Sequence, residues 1–350
     1  MTKLSARSEA IRQHILKNID QSQIDIKKST AEKFAISRQA VHKHLKRLVD
    51  EEFLVVKGKT KGRTYRLRTL LDWSQSYLIN PALAEDVVWR NDIEPKLAKL
   101  PDNVSDIWHY AFTEMFNNAL DHSDGDQITV KLSMSASNTQ IVLYDNGMGI
   151  FKKIQHNLNL LDERHAVLEL AKGKLTTDPA RHTGEGIFFT SRLCDAFQVV
   201  AGDVYFSHQF GEDKDWVLQN DVFSSGTAVW MRLNNHTSRT AKKIFDQFTS
   251  SEDFGFNKTV VPVKLAQYGD DKLISRSQAK RLIARFEKFK IVILDFQGVE
   301  SIGQAFTDEV YRVFTAKFPN IALSEINTNE NVTRMILRAK SNIQTSTVPH

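Results

Sequence analysis

The ten residues from Glu114 to Ser123, EMFNNALDHS, hold a carboxylate, two amides, a second acid and a histidine. Glu114, Asn118 and Asp121 follow one another at spacings of four and three, so they share one stripe of a helix. Trp108, Phe112, Met115 and Ala119 recur at the same spacings and form a separate apolar stripe. A solvated outer face is the usual reason for a polar stripe. This one carries no lysine, and asparagine is a poor helix former that wants a reason to stand mid-helix. A carboxylate within reach of water can serve as a base. One amide oxygen can suffice for Mg2+, which takes few protein ligands and keeps its waters.

Elements must bring other groups to this helix. Ile128 to Met134 and Gln140 to Tyr144 alternate as strands joined by a Ser/Asn-rich turn, and the second runs into DNGMG, Asp145 to Gly149. Later, Thr183, Gly184, Glu185 and Gly186 open another helix, and a helix start with free N–H groups is an anion site. A late strand, SSGTAVWMRL, carries Gly226 and Thr227. Each glycine cluster alone is weak, because turns are full of glycine. Their order carries the information.

In that order the segment from about 90 to 235 resembles the GHKL ATPases, the superfamily of gyrase B subunits, mismatch-repair ATPases, heat-shock chaperones and histidine kinases. The resemblance implies ATP and Mg2+ as cofactors and a weak ATPase activity. It implies that Glu114 orients or deprotonates the attacking water, and that Asn118 holds Mg2+. Asp145 would accept from the adenine amino group, with the Thr227 hydroxyl nearby. Gly147 and Gly149 would let the backbone approach the nucleotide. Thr183, Gly184 and Gly186 would form the phosphate turn. Asn117 is a second amide without an assigned role, and Glu185 puts a negative charge inside that turn. His122 and Ser123 would stand near phosphate or cap the helix end. Residues 152–181 would form a mobile lid, with Lys172, Lys174, Arg181 and His182 as candidates for phosphate contact or as solvated charges. A self-phosphorylating histidine kinase is excluded. Residues 71–107 hold Pro81, Pro95 and Pro101 but no histidine, and leave no room for a long hairpin.

The charge is uneven. Residues 1–70 hold 17 Lys and Arg against 7 Asp and Glu, a balance of +10, while the whole chain is +5. A basic head suggests a polyanionic partner. That head reads as a helix from Ser8 to Asn18, a short helix from Thr30 to Phe34, a turn at Ala35 and Ile36, and a helix capped by Ser37. Val41, Leu45 and Leu48 form the buried stripe, and Leu54 to Val56 pairs with Thr64 to Leu67 around the basic loop KGKTKGR. This resembles a winged helix-turn-helix domain. The resemblance implies double-stranded DNA as partner. Ser37, Arg38, Gln39, His42, Lys43 and Lys46 would lie at the major groove and Arg63 on the wing.

Strands alternate with helices again in the last third, and VILDFQGVESIGQAFTDEVYRVF resembles the core of STAS domains. In phosphorylatable members a serine stands where this chain has Gly303, Gln304 and Ala305, so the acceptor is missing. The expected organisation is a multidomain α+β protein: winged helix-turn-helix at 1–70, connector at 71–95, GHKL-type α/β sandwich with a Bergerat-type ATP site at 96–235, linker helix at 236–257, and a small STAS-like α/β domain at 258–345. Hydrophobic content of 41%, one cysteine and no long apolar run fit a cytoplasmic chain with no membrane partner. The expected function is an ATP-dependent DNA-binding regulator, with a protein partner on the STAS-like domain and homodimerisation as further possibilities. The alternatives are an anti-sigma-type serine/threonine kinase acting in trans and an ATPase scaffold whose winged helix binds protein.

Overall fold

The computed structural model describes residues 6–19, 25–58, 63–175, 184–211, 216–219, 225–249, 255–267 and 272–345. Three short helices open the chain: α1 (Ala6–Asn18), α2 (Ile26–Phe34) and α3 (Arg38–Asp50). The Asp25 side chain caps α2 by accepting from the Lys27 and Lys28 N–H groups, and Ser37 caps α3 by accepting from Ala40. Strands β1 (Leu54–Lys57) and β2 (Thr64–Leu67) form an antiparallel hairpin. Ile15, Val41, Leu45, Leu48 and Leu54 close this unit's own core, against which Ala136 also packs.

The next segment departs from expectation. Residues 71–95 are not a connector. Strand β3 (Leu71–Leu78) pairs along its whole length with β4 (Gln127–Met134). Helix α4 (Glu85–Val88) then runs through a π-helical stretch, Trp89–Ile93, into α5 (Glu94–Leu97), and buries Trp89 and Ile93. Half of β3 is polar and it pairs on one side only; Leu71, Trp73 and Tyr77 face inward in alternation with Asp72, Ser74 and Ser76, and Gln75 interrupts the pattern.

Helix α6 (Asp102–His122) lays Trp108, Phe112, Met115 and Ala119 against the sheet, where Ile128, Val130, Ile141 and Leu143 are buried. That sheet has seven strands in the order β3-β4-β5-β9-β6-β7-β8, and every ladder in it is antiparallel. Its members after β4 are β5 (Asn138–Asp145), β6 (Ala196–Ala201), β7 (Val204–Gln209), β8 (Trp216–Gln219) and β9 (Ala228–Asn234). Between β5 and β6 come α7 (Ile150–Leu158), α8 (Glu163–Lys172) and α9 (Gly186–Leu193).

After α10 (Ala241–Phe248), a three-stranded parallel sheet forms from β10 (Lys258–Pro262), β11 (Ile291–Asp295) and β12 (Ala322–Ile326). Its helices are α11 (Arg276–Ile283), α12 (Gln304–Asp308), α13 (Thr315–Lys317) and α14 (Glu330–Thr345), with a π-helical stretch, Glu309–Phe314, linking α12 to α13. The capping box of Ser275 and Gln278 starts α11 as expected.

One continuous core runs from Val88 to Ala339, so the boundaries expected at 236 and 258 fall inside it. Two features join the halves. Phe188 and Phe189 of α9 meet Phe248 of α10 and Phe256, and Phe256 meets Phe289. Helix α8 is buried from His165 to Lys172 because it is enclosed by its own domain and by β10. The expectation of a mobile lid over 152–181 is therefore corrected. Most of it is packed helix, and residues 176–183, with Arg181 and His182, lie outside the described residues.

Lys172 is fully buried. Its Nζ donates to Glu169 Oε1 at 2.7 Å and to the Arg281 and Ala284 carbonyls at 2.9 Å each. It is neither a phosphate ligand nor a solvated charge. Burial pulls its ammonium down to about 8, and Glu169 opposes that shift. Lys172→Met should lower stability by about 3 kcal/mol, because it strips buried acceptors of their donor. A urea midpoint equal to that of the wild type would show that these bonds contribute nothing net.

Candidate functional site

Asp145 ends β5, and the β5–β9 ladder sets Thr227 beside it. The two residues are doubly tied. Asp145 N donates to Thr227 O at 3.0 Å, and Thr227 N donates to Asp145 Oδ1 at 3.2 Å. Gly147 N donates to the same Oδ1 at 3.0 Å, while the Thr227 hydroxyl oxygen accepts from Ile150 N at 3.0 Å. The carboxyl is 6% exposed. Burial raises its pKa above the usual carboxylate range, and the Gly147 and Thr227 hydrogen bonds partly oppose that.

Close backbone approach explains the glycines. A Cβ on Gly147 would lie 1.9 Å from the Ser123 carbonyl oxygen, and one on Gly226, at φ 86°, would lie 1.9 Å from that of Asp145. Ser123 is buried at the end of α6, where its hydroxyl accepts from Gly125 N and its carbonyl from Met148 N. Gly149 adopts φ 94° at the start of α7.

Together these segments line a cleft of about 260 Å³. Glu114, Asn118, His122 and Ser123 come from α6 and its end, and Asp145 from β5. Gly184, Glu185 and Gly186 come from the turn opening α9, and Thr227 from the start of β9. Gly147 and Gly149 shape the turn behind Asp145 without lining the cleft, and Asn117 on α6 does not line it either. Thr183 lies outside the described residues. Met115, Leu143, Ile150, Ile154, Leu170 and Val229 give the cleft an apolar floor. Lys153 is the lysine of the lining, and it pairs with Asp124 at 2.7 Å. Only its place on the helix after DNGMG pointed to it.

Asn118 Nδ2 is buried without a hydrogen-bond partner, and a buried amide of that kind wants a ligand. A Cβ on Gly186 would fall 2.1 Å from Glu114 Oε2, so the glycine lets the helix start meet the carboxylate. Glu185 and Glu114 both act on Tyr110, whose hydroxyl pKa is raised first by burial and then by these two carboxylates. Burial raises the Glu185 pKa, and the Lys174 ammonium opposes that. Lys174 is no free phosphate ligand either: its Nζ donates to the Lys288 carbonyl at 2.9 Å.

The head presents a second candidate site. Arg38, Gln39, His42, Lys43 and Lys46 are exposed on one face of α3, opposite buried Val41, Leu45 and Leu48. Ser37 is exposed at its start, and the Arg63 guanidinium sits 5.3 Å from the Tyr65 ring centroid. Among the described residues the ion pairs of the head tie Glu51 to Arg12 and Arg47, and Glu52 to Arg68, and leave the α3 face cationic. Residues 59–62 of the basic loop lie outside the described residues.

In the C-terminal unit, Gly303 precedes α12, and the Thr307 hydroxyl is buried and donates to the Gly303 carbonyl at 2.7 Å. Residues 278–333 match the family described as the STAS-like domain of unknown function (DUF4325). The chain is thus a mixed α/β multidomain protein with a STAS-like domain in its C-terminal part. No curated protein matches it. Among the described residues no helix is long and apolar enough to cross a membrane.

Asp145→Asn should separate stability from binding. The folded pKa is raised, so ionising this carboxyl opposes folding. That penalty is present above the raised pKa and fades as pH falls through it. The amide oxygen can still accept from Gly147 and Thr227. Near pH 7 the variant should melt higher than the wild type, and the gain should shrink in acid. A lower melting temperature at pH 7 would show that the bonds to Asp145 need its charge.

Proposed function

We propose that this chain is an ATP-dependent, DNA-binding regulator. One observation carries the reading. Glu114, Asn118, Asp145, Gly184, Gly186 and Thr227 come from four separated segments, and all line one cleft. A GHKL-type sandwich with a Bergerat-type ATP site would use them as follows. Asp145 and Thr227 hold the adenine edge, and the turn at Gly184 and Gly186 meets the phosphates. Asn118 holds Mg2+, which neutralises phosphate charge. Glu114 polarises water for slow hydrolysis.

The head then acts as a winged helix-turn-helix. Helix α3 enters the major groove, Arg38 and Gln39 meet base edges, and Lys43, Lys46 and Arg63 meet phosphates, with Ser37 and His42 beside them. Nucleotide state would switch how the head engages DNA, in a cytoplasmic setting. The STAS-like domain would contact a protein partner or a second copy of the chain. Phosphorylation of that domain in cis finds no acceptor at Gly303, Gln304 or Ala305, and the Thr307 hydroxyl is committed to backbone.

Glu114→Ala should keep ATP affinity and lose turnover by about 100-fold or more, since the acid serves water rather than nucleotide. Calorimetry and phosphate release check this together. Lost affinity with unchanged turnover per bound ATP would remove Glu114 from that role. Lys43→Ala should weaken binding to every duplex alike and lower the slope of log K against log salt by about one unit. If the full chain retards no duplex at low salt, with or without ATP, the head binds protein instead.

A further inference from the structure

Arg285, just beyond α11 in the C-terminal unit, packs on the end of α8, behind the wall of the cleft to which Leu170 and Leu175 belong. Its Nη1 donates to Glu169 Oε2 at 2.7 Å, and its Nη2 to the Gly173 carbonyl at 3.0 Å and to the Lys174 carbonyl. Thr259 Oγ1 donates to the preceding carbonyl, that of Lys172, at 2.7 Å. The three consecutive carbonyls that leave α8 are thus all held by the C-terminal unit. Arg285 adopts φ 67°, a left-handed conformation costly for a side-chain-bearing residue, and its guanidinium is mostly buried.

The next residue is Leu175, which lines the cleft. Its N–H donates to Gly184 O at 3.1 Å. A Cβ on Gly184 would lie 2.4 Å from the Leu175 carbonyl carbon, so the two backbones touch. Gly184 in turn leads through Glu185 to Gly186, against which the Glu114 carboxylate rests. Beyond the Arg285 guanidinium, from the carbonyls it holds to the glycine turn, the chain of contact is backbone throughout.

We infer that Arg285 is a positioning residue for the phosphate end of the cleft, supplied by the STAS-like part of the chain. This rests on the nucleotide reading and deepens it. The adenine end is built differently. Asp145, Gly147 and Thr227 are tied to one another by the β5–β9 ladder and owe nothing to Arg285. Removing the guanidinium should therefore loosen the turn at Gly184 and leave the base pocket intact. A lysine in its place keeps the charge but lacks the planar fork that serves a carboxylate and two carbonyls at once.

The test compares Mg·ATP with adenosine on the full-length chain, by calorimetry, for wild type, Arg285→Ala and Arg285→Lys. The inference expects ATP affinity to fall by about tenfold or more in Arg285→Ala, with adenosine affinity unchanged. Arg285→Lys should show the same direction with a smaller drop, and it carries the test should the alanine variant fail to fold. An equal loss of both affinities would overturn the inference, because Arg285 would then only hold the fold together. An unchanged ratio with unchanged affinities would overturn it as well. Wild-type protein that binds neither compound would instead overturn the nucleotide reading, and this inference with it.

Discussion

The ladder between β5 and β9 is the contact on which the cleft depends. Just past its end, Asp145 and Thr227, 82 positions apart, bond in both directions: Asp145 N donates to the Thr227 carbonyl, and Thr227 N donates to the Asp145 carboxylate. That closure fixes the carboxylate, the threonine hydroxyl and, through Ile150 N, the start of α7. It also forces Gly226, because a side chain there would collide with the Asp145 carbonyl oxygen, while Gly147 is required by the Ser123 carbonyl at the end of α6. The remaining walls are added to this frame. Helix α6 arrives by burying its apolar stripe on the sheet, and α9 arrives by meeting α6 where Gly186 admits Glu114.

Holding three carboxylates around one cleft has an electrostatic cost. Burial raises the pKa values of Asp145 and Glu185, so each charged form is disfavoured in the folded chain. The protein offsets this locally. Backbone N–H groups converge on Asp145, and the Lys174 ammonium acts on Glu185. Such an arrangement is poor for stability and good for recognition: it keeps strong acceptors where a donor or a cation can reach them. Under the nucleotide reading, Mg2+ would supply the positive charge that the lining lacks, since Lys153 is already paired with Asp124.

Much of the cleft was legible because its chemistry is local. The polar stripe of α6, the DNGMG turn and the glycine opening of α9 each declare themselves within a few residues. So do the Ser37 cap and the capping box at Ser275. Two things were not legible, for physical reasons. Strand β3 is half polar, and Gln75 at an inward position breaks its alternation, so the stretch reads as a connector. Helix α8 has Glu169 and Lys172 three apart, the spacing of an ordinary surface ion pair. Their burial follows from β10 and the helices that enclose α8, and the partner of Glu169 is Arg285, 116 residues beyond it, a distance no periodicity reports.

The same geometry constrains how a signal could reach the head. The head's core packs Ala136, at the tip of the β4–β5 hairpin, and Leu70 N donates to Met134 O just before β3 begins. Strand β5 runs from Asn138 beside that tip to Asp145 in the cleft, a span of about 24 Å at the rise of a strand. A strand paired on both sides cannot stretch or fold to carry a local change along its length. The head must therefore respond, under the regulator reading, to a movement of the sheet as a body, or to contacts made elsewhere. The C-terminal unit shares the cleft's core and clamps the end of α8, whereas the head has a separate core and touches the sheet at one edge and one turn. Under the regulator reading, the C-terminal unit, which shares the cleft's core, would move with the site, and the head, with its separate core, would be the unit whose orientation nucleotide changes.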